Sequence, residues 1–352
     1  MKTAKLKGPG EIRIEEVPEP GQPADDEVLV EVLSVGICGS DLHMYETGSI
    51  GSIHVSEPLT IGHEFSARIL DIGKDAINEH GVRLQAGMRV AVEPHVACGK
   101  CEQCHAGNPN LCPHHYFYGV YPVPGALSER MLVKAHNCFP IPDDISDAGG
   151  ALLETLGVAL HAVDLSKIRV GDTVAVIGCG SVGALIARLA VLAGASRVWA
   201  FDLLDWRASL SRQWGIEAMT VRDDEAVQHI NKLTSGRGVD IAIEAAWADH
   251  TVQQCVEMAR YGGRLTLVGI PPDDRVLMDG SVTRRKGLTF RFSRRMKHTY
   301  PRAIALASGK DPQVRLDDLA SHNYPLAEAG QAFAENAAYR EGLLKAIIRI
   351  NN

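Results

Sequence analysis

Four cysteines stand in the segment CGKCEQCHAGNPNLC, at Cys98, Cys101, Cys104 and Cys112, spaced C-x2-C-x2-C-x7-C. Four thiolates satisfy a tetrahedral zinc ion completely and leave no position for water or substrate. The spacing therefore predicts a closed, structural zinc site that ties down a lobe, rather than a set of free surface thiols. Chemistry then needs an open site elsewhere. Cys38 lies in GICGSD after an apolar run, and GHE, Gly62 to Glu64, follows 25 residues later. A Cys thiolate and a His imidazole suit zinc, and a carboxylate can complete the set. Taken singly, each of these residues reads as an ordinary core or surface position.

A second constellation is rich in glycine. GCGSVG, Gly178 to Gly183, fits G-x-G-x-x-G, with the apolar run DTVAVI before it and the helical pattern SVGALIARLAVLAGA after it. In that context the first glycine makes a tight turn and Gly180 lets the backbone approach a pyrophosphate. Gly183 lets the helix pack close on the strand, and the helix N-terminus offers N–H groups to the phosphates. Nineteen residues after Gly183, Asp202 ends the strand RVWAFD. An acid there can bind both ribose hydroxyls of NAD and would repel the 2′-phosphate of NADP. The next residue, Leu203, is not a base, and Arg207 is close enough to flank the adenine. Ser181 and Val182 in the loop, and Val268 in GGRLTLVGI, complete the expected cofactor contacts.

These residues need elements to hold them. The chain has 352 residues and 45% hydrophobic content, which favours two domains over one core. The first 150 residues or so read as β-rich and irregular, with β-branched runs such as EVLVEVLSVGICGSD and GMRVAVEP. From 168 to 270, strands alternate with helices, the signature of a parallel doubly wound sheet. The last 60 residues hold a helical run, YPRAIALAS, and a terminal strand, LKAIIRI. That strand does not extend the alternation and is expected to pair back with the first domain.

The net charge is −7, and the basic cluster RRK at 284–286 and the pair RR at 294–295 are local. Neither a nucleic acid nor a membrane surface is an expected partner. The N-terminal MKTAKLKGPGEIRIEEV lacks an apolar h-region, so no signal peptide is expected. No stretch reaches 18 apolar residues, so no transmembrane helix is expected. Eight cysteines without a secretion signal point to reduced thiols in the cytoplasm.

GICGSDLH, GHEFSARILDIG, the four-cysteine lobe, GALLETLGVALHAV and VIGCGSVG occur in this order. That order resembles the zinc-dependent medium-chain dehydrogenases over essentially the whole chain. The resemblance implies a catalytic zinc held by Cys38, by His63 and by a third residue just before the nucleotide domain. Alcohol dehydrogenases use a cysteine there. The matching residue here is Glu154, in LLETLG, which is similar to the polyol branch of sorbitol and xylitol dehydrogenases. In that branch Glu64 can also ligate, so the implied set is Cys38, His63 and Glu64 or Glu154, with one open position. The segment CGSDLHMYETGSIG resembles the equivalent segment of sorbitol dehydrogenases, spacing included. One departure is Ala67, where the family signature usually has Gly; it touches backbone geometry and not the ligands.

The resemblance implies an α/β architecture. A GroES-like β-rich catalytic domain would cover 1–155 and 292–352, and a Rossmann domain 156–291, with the active site in the cleft between them. An open zinc would make a substrate hydroxyl more acidic, and a hydride would pass to the nicotinamide. Ser40 and His43 match the family's proton relay, although Ser40 also reads as a helix cap. Arg295, in FSRRMKHTYPRAI, matches the arginine that binds a distal hydroxyl, with Met296 where Tyr is usual. Tyr45 and Phe117 are candidates to line the pocket. The expected function is NAD- and zinc-dependent oxidation of a polyol, in a homotetramer. The alternatives are a butanediol or threonine dehydrogenase, a zinc-free quinone reductase relative, and a non-catalytic NAD-binding scaffold.

Overall fold

Two units make up the chain, Met1–Glu154 with Tyr300–Asn352, and Thr155–Thr299. The structure, a computed structural model, describes residues 1–351 apart from 223, 247, 249 and 272–274. The second boundary falls at 299/300, so 292–299 belong with the second unit.

The first unit is organised on the ten-residue strand Glu27–Gly36. Val28, Val30, Val32 and Ser34 point inward and the residues between them are half-exposed, the period of two that a half-buried strand requires. One edge pairs antiparallel with Glu64–Ile72, from Val28 opposite Ile72 to Gly36 opposite Glu64. The other edge is shared. Arg130–Lys134 takes its first half, and Ala346–Arg349 takes its end, with Ile348 opposite Val35. The terminal strand read from LKAIIRI thus returns to the first unit. Arg89–Val92, Cys138–Pro140 and His322–Pro325 complete a seven-stranded sheet. Lys2–Gly8, Glu11–Glu16 and Leu59–Thr60 form a smaller antiparallel sheet. Its Ala4 and Leu6 share one core with Val30, Phe65 and Phe333.

The second unit carries six parallel strands: Thr173–Ile177, Arg197–Asp202, Glu217–Thr220, Val239–Glu244, Ala259–Leu267 and Thr289–Phe292. Counted along the chain, their spatial order is 3-2-1-4-5-6. All six residues of VDIAIE are buried, as are four of the five in TVAVI. Continuous apolar runs of this kind belong to central strands of parallel sheets. Strand order reverses between Thr173–Ile177 and Val239–Glu244, and open α/β sheets bind ligands beyond the carboxyl ends at such a point.

The helix Asp147–Ser166 starts in the first unit and ends in the second. It is the one helix among the described residues that is long and apolar enough to cross a membrane, and most of it is buried within the protein. Gly150 brings it against the sheet. A Cβ there would lie 2.7 Å from Ile141 Cδ1 and 2.9 Å from Ser66 Cβ, and the Ser66 hydroxyl donates to the Asp147 carbonyl at 2.7 Å. Glu154 follows one turn later, on the same face as Gly150. A Gly→Ala change in a helix interior ordinarily stabilises; here the contact reverses the sign. Gly150→Ala is expected to destabilise by about 1–3 kcal/mol. The measurement is a denaturant midpoint that falls at constant m-value; a midpoint equal to or above wild type would show that the helix has room.

Candidate active site

The register of the first sheet assembles the open site. Gly36 pairs with Glu64, so Cys38, two residues beyond Gly36, and His63, one before Glu64, leave the sheet at the same end. A ligand atom from each of Cys38, His63 and Glu64 lies within 4.8 Å of the other two. Glu64 and His63 are buried and Cys38 is half-buried.

Asp41 organises this set, and the sequence reading passed over it. Cys38 caps the helix Gly39–Thr47, and Asp41, three residues on, accepts the Cys38 N–H at 3.1 Å. Its other carboxylate oxygen accepts the Gly62 N–H at 3.3 Å and lies 3.2 Å from His63 Nδ1. A carboxylate can only accept, so Nδ1 carries the proton and Nε2 is left to bind a metal. Burial disfavours a charged His63, but the Asp41 carboxylate and the Cys38 thiol outweigh it and hold its pKa well above the usual value. Metal binding here therefore displaces a proton.

Glu154 is buried in the same unit. Burial pushes its pKa up to about 7; His63 and Lys345 oppose the rise, while Glu64 and Asp41 add to it. Lys345 is a further group the sequence reading missed. Its ammonium donates to both Glu64 oxygens, at 2.8 and 2.9 Å, and to the Ile37 carbonyl at 3.1 Å.

Ser40 and His43 share the helix Gly39–Thr47, three residues apart and both half-buried. Capping falls to Asp41, and the Ser40 hydroxyl has no hydrogen-bond partner among the described residues. Phe117 stands beside the set, its ring centroid 5.3 Å from that of His63. Tyr45 is buried in the core of the first unit, its ring 5.5 Å from that of Phe333. Ala67 is fully buried in the sheet, opposite Val32 and Val90, and leaves the ligands undisturbed. Arg295 belongs to the second unit and has a left-handed backbone, φ 57°, which is uncommon for a residue with a side chain.

The cysteine lobe is assembled separately. Cys101 Sγ lies 3.5 Å from Cys104 Sγ and 3.8 Å from Cys112 Sγ, and the Cys98 N–H donates to Cys112 Sγ at 3.4 Å. Four sulfurs around a zinc at ordinary bond length form a tetrahedron with edges of about 3.8 Å. All eight cysteines are free of disulfides. Backbone donation from Lys100 brings Cys98 down to about 6, and burial pushes Cys104 up to about 12. The four sulfurs lie within 4.8 Å of one another, so the donor set fits zinc.

In the second unit Gly178 has φ 96°, and a Cβ on it would lie 2.8 Å from the Ala245 carbonyl. A Cβ on Gly183 would collide with the Gly178 carbonyl oxygen. Around Gly180 no atom of the described residues would obstruct a side chain, so its lack of one leaves space for a ligand. Gly180 caps the helix Ser181–Leu192, whose first residues, Ser181 and Val182, are half-exposed. Asp202 accepts the Cys179 N–H at 2.7 Å and the Leu204 N–H at 2.9 Å, which ties the acid to the loop. Arg207 stacks 5.1 Å from the Trp206 ring centroid, and the Val268 N–H donates to the Glu244 carbonyl at 2.8 Å. The loop fits a dinucleotide.

A metal set with thiolate, imidazole and carboxylate on one unit, and a dinucleotide loop on the other, is the equipment of an alcohol-oxidising, nucleotide-linked dehydrogenase. Comparison with known proteins supports that class. Residues 24–143 match the family model of the alcohol dehydrogenase GroES-like domain, and residues 181–309 that of zinc-binding dehydrogenases. Sorbitol dehydrogenase of Bacillus subtilis is 34% identical over 353 residues, covering 100% of this chain and 98% of the relative. D-xylulose reductase of Morganella morganii is 33% identical, covering 96% and 98%. An Escherichia coli oxidoreductase of unknown specificity superposes with TM-score 0.91 at 27% identity, covering 100% and 99%. The chain belongs to the zinc-dependent medium-chain dehydrogenase family, in its sorbitol dehydrogenase-like branch.

Proposed function

We propose that the protein oxidises a secondary hydroxyl of a sugar alcohol to a ketone, with NAD as hydride acceptor. Glu154 carries the polyol reading. A buried carboxylate lies within electrostatic reach of His63 and Glu64, at the position where simple-alcohol enzymes of the family have a cysteine as third ligand. The likeness to proteins named sorbitol dehydrogenase and D-xylulose reductase supports a polyol and its ketose as the substrate pair.

Cys38, His63 and Glu64 or Glu154 would hold the catalytic zinc, which when bound supplies a Lewis acid that lowers the pKa of the substrate hydroxyl. Cys98, Cys101, Cys104 and Cys112 would hold the structural zinc. Asp41 keeps His63 in the tautomer that can ligate. Glu154, with a pKa of about 7, can take up or release a proton near neutrality. Ser40 accepts the proton of the substrate hydroxyl and His43 passes it outward. Asp202 binds the ribose hydroxyls, Gly178 to Gly183 cradle the pyrophosphate, and Arg207 and Val268 flank the nucleotide. Arg295 binds a distal hydroxyl. Eight unpaired cysteines suit a reducing cytoplasm, and the family resemblance supports a homotetramer.

An initial-rate panel tests this reading. It pairs NAD and NADP with polyols of three to six carbons, butanediol, threonine and ethanol, before and after chelation. The expected result is a chelator-sensitive NAD rate that peaks on one polyol. Rates on butanediol or threonine alone would overturn the polyol assignment. No rate on any alcohol would leave a nucleotide-binding scaffold.

A further inference from the structure

Thr289–Phe292 is the edge strand of the parallel sheet in the second unit. Phe290 packs against the core, so Arg291 points to the other face. The Ser293 N–H donates to the Leu267 carbonyl at 2.8 Å. That bond extends the ladder by one residue and puts Ser293 on the same face as Arg291. Both residues are half-buried, yet Arg291 Nε and Ser293 Oγ are shut off from solvent and have no hydrogen-bond partner among the described residues. The neighbouring strand supplies none. Thr266 lies opposite Arg291, and its hydroxyl is engaged with that of Ser166 at 2.8 Å. A guanidinium keeps its charge, and Nε–H can only donate. A buried donor without an acceptor is costly and calls for an ion or ligand.

The charge around the pair has one sign. From Gly280 to Thr299 the chain has seven lysines and arginines and no acid, although its net charge is −7. Arg294 and Arg295 follow Ser293 directly, and Arg295 takes a left-handed backbone, φ 57°. A residue with a side chain holds that conformation where its surroundings over-determine it, as at ligand clamps. The missing acceptor is therefore an anion. A guanidinium fork engages two oxygens of a carboxylate or phosphate, and a phosphate monoester has a third for the hydroxyl.

We infer that Arg291 and Ser293 form a binding site for a phosphate group. Arg295, two residues on, is assigned above to a distal hydroxyl, which places the phosphate at the far end of a sugar-alcohol phosphate substrate. The inference deepens the polyol reading and rests on it for the source of the phosphate, not for the site.

Two measurements on purified holoenzyme test it. Calorimetric titration with inorganic phosphate needs no turnover. Wild type should bind saturably, Arg291→Met about tenfold more weakly and Ser293→Ala about threefold. Ser293→Ala keeps the test open if Arg291→Met misfolds. Arg284→Met removes an exposed charge of the same stretch and should bind as wild type. An equal loss in that variant would mean a diffuse field and overturn the site. The second measurement compares sorbitol 6-phosphate with sorbitol, and erythritol 4-phosphate with erythritol. The ratio of kcat/KM, phosphorylated over free, should be about ten or more in wild type and fall about tenfold in Arg291→Met. A merely structural change would lower both rates and leave the ratio. Arg291-dependent binding without that preference keeps the site and gives it to free phosphate. Neither binding nor preference overturns the inference. Arg291-dependent binding in a protein that oxidises no alcohol would instead sink the dehydrogenase reading and keep the site.

Discussion

His63→Ala is expected to lose roughly 10³-fold in kcat/KM and to bind one zinc per chain instead of two. Metal polarisation of a hydroxyl contributes several kcal/mol, and about 4 kcal/mol corresponds to that factor. The variant should still fold. Asp41 keeps its two backbone donors, the N–H groups of Cys38 and Gly62, so the helix cap and the turn before Glu64 survive. Metal analysis beside steady-state kinetics reads the result. A variant that retained both zinc ions and more than a tenth of the rate would move the catalytic metal away from His63.

Cys112→Ser is expected to do the reverse. Cys112 is fully buried, 3.8 Å from Cys101 Sγ, and accepts the Cys98 N–H, so it ties together the two ends of the lobe. Losing it should release the structural zinc. The cost is on the order of 5 kcal/mol or more, because metal affinity at such a site is folding free energy. The melting temperature should fall by roughly 10 °C or more. Molecules still folded at low temperature should retain most of their rate, since the lobe carries no open position. A selective loss of kcat with unchanged melting would show that the lobe takes part in the reaction.

The opposite expectations for the two metal sets come from how each is written in the chain. The cysteine lobe and GCGSVG are local patterns, four ligands within 15 residues and three glycines within six, so spacing alone announces them. Cys38 and His63 gain meaning only from the register that sets Gly36 opposite Glu64, and Glu154 was legible only through family resemblance. Asp41 was in view, inside GICGSD, but its role depends on helix capping and on the turn at Gly62. Lys345 left a faint trace, a lysine at the mouth of an apolar strand. Its partner lies 281 residues away in sequence, and no local pattern spans that distance. Tyr45 shows the converse: an aromatic residue close in sequence to Cys38 that belongs to the core with Phe333.

The return of the last strand has a consequence for biosynthesis. The nucleotide unit is one uninterrupted stretch, Thr155–Thr299, and can fold as soon as it clears the ribosome. The metal-binding unit must wait for Tyr300–Asn352, although every ligand in it was synthesised long before. Until Ala346–Arg349 docks beside Val35, a nascent chain holds its thiolate, imidazole and carboxylate without the lysine that donates to Glu64. A zinc ion captured during that interval meets a Glu64 carboxylate that has not yet gained its ammonium partner.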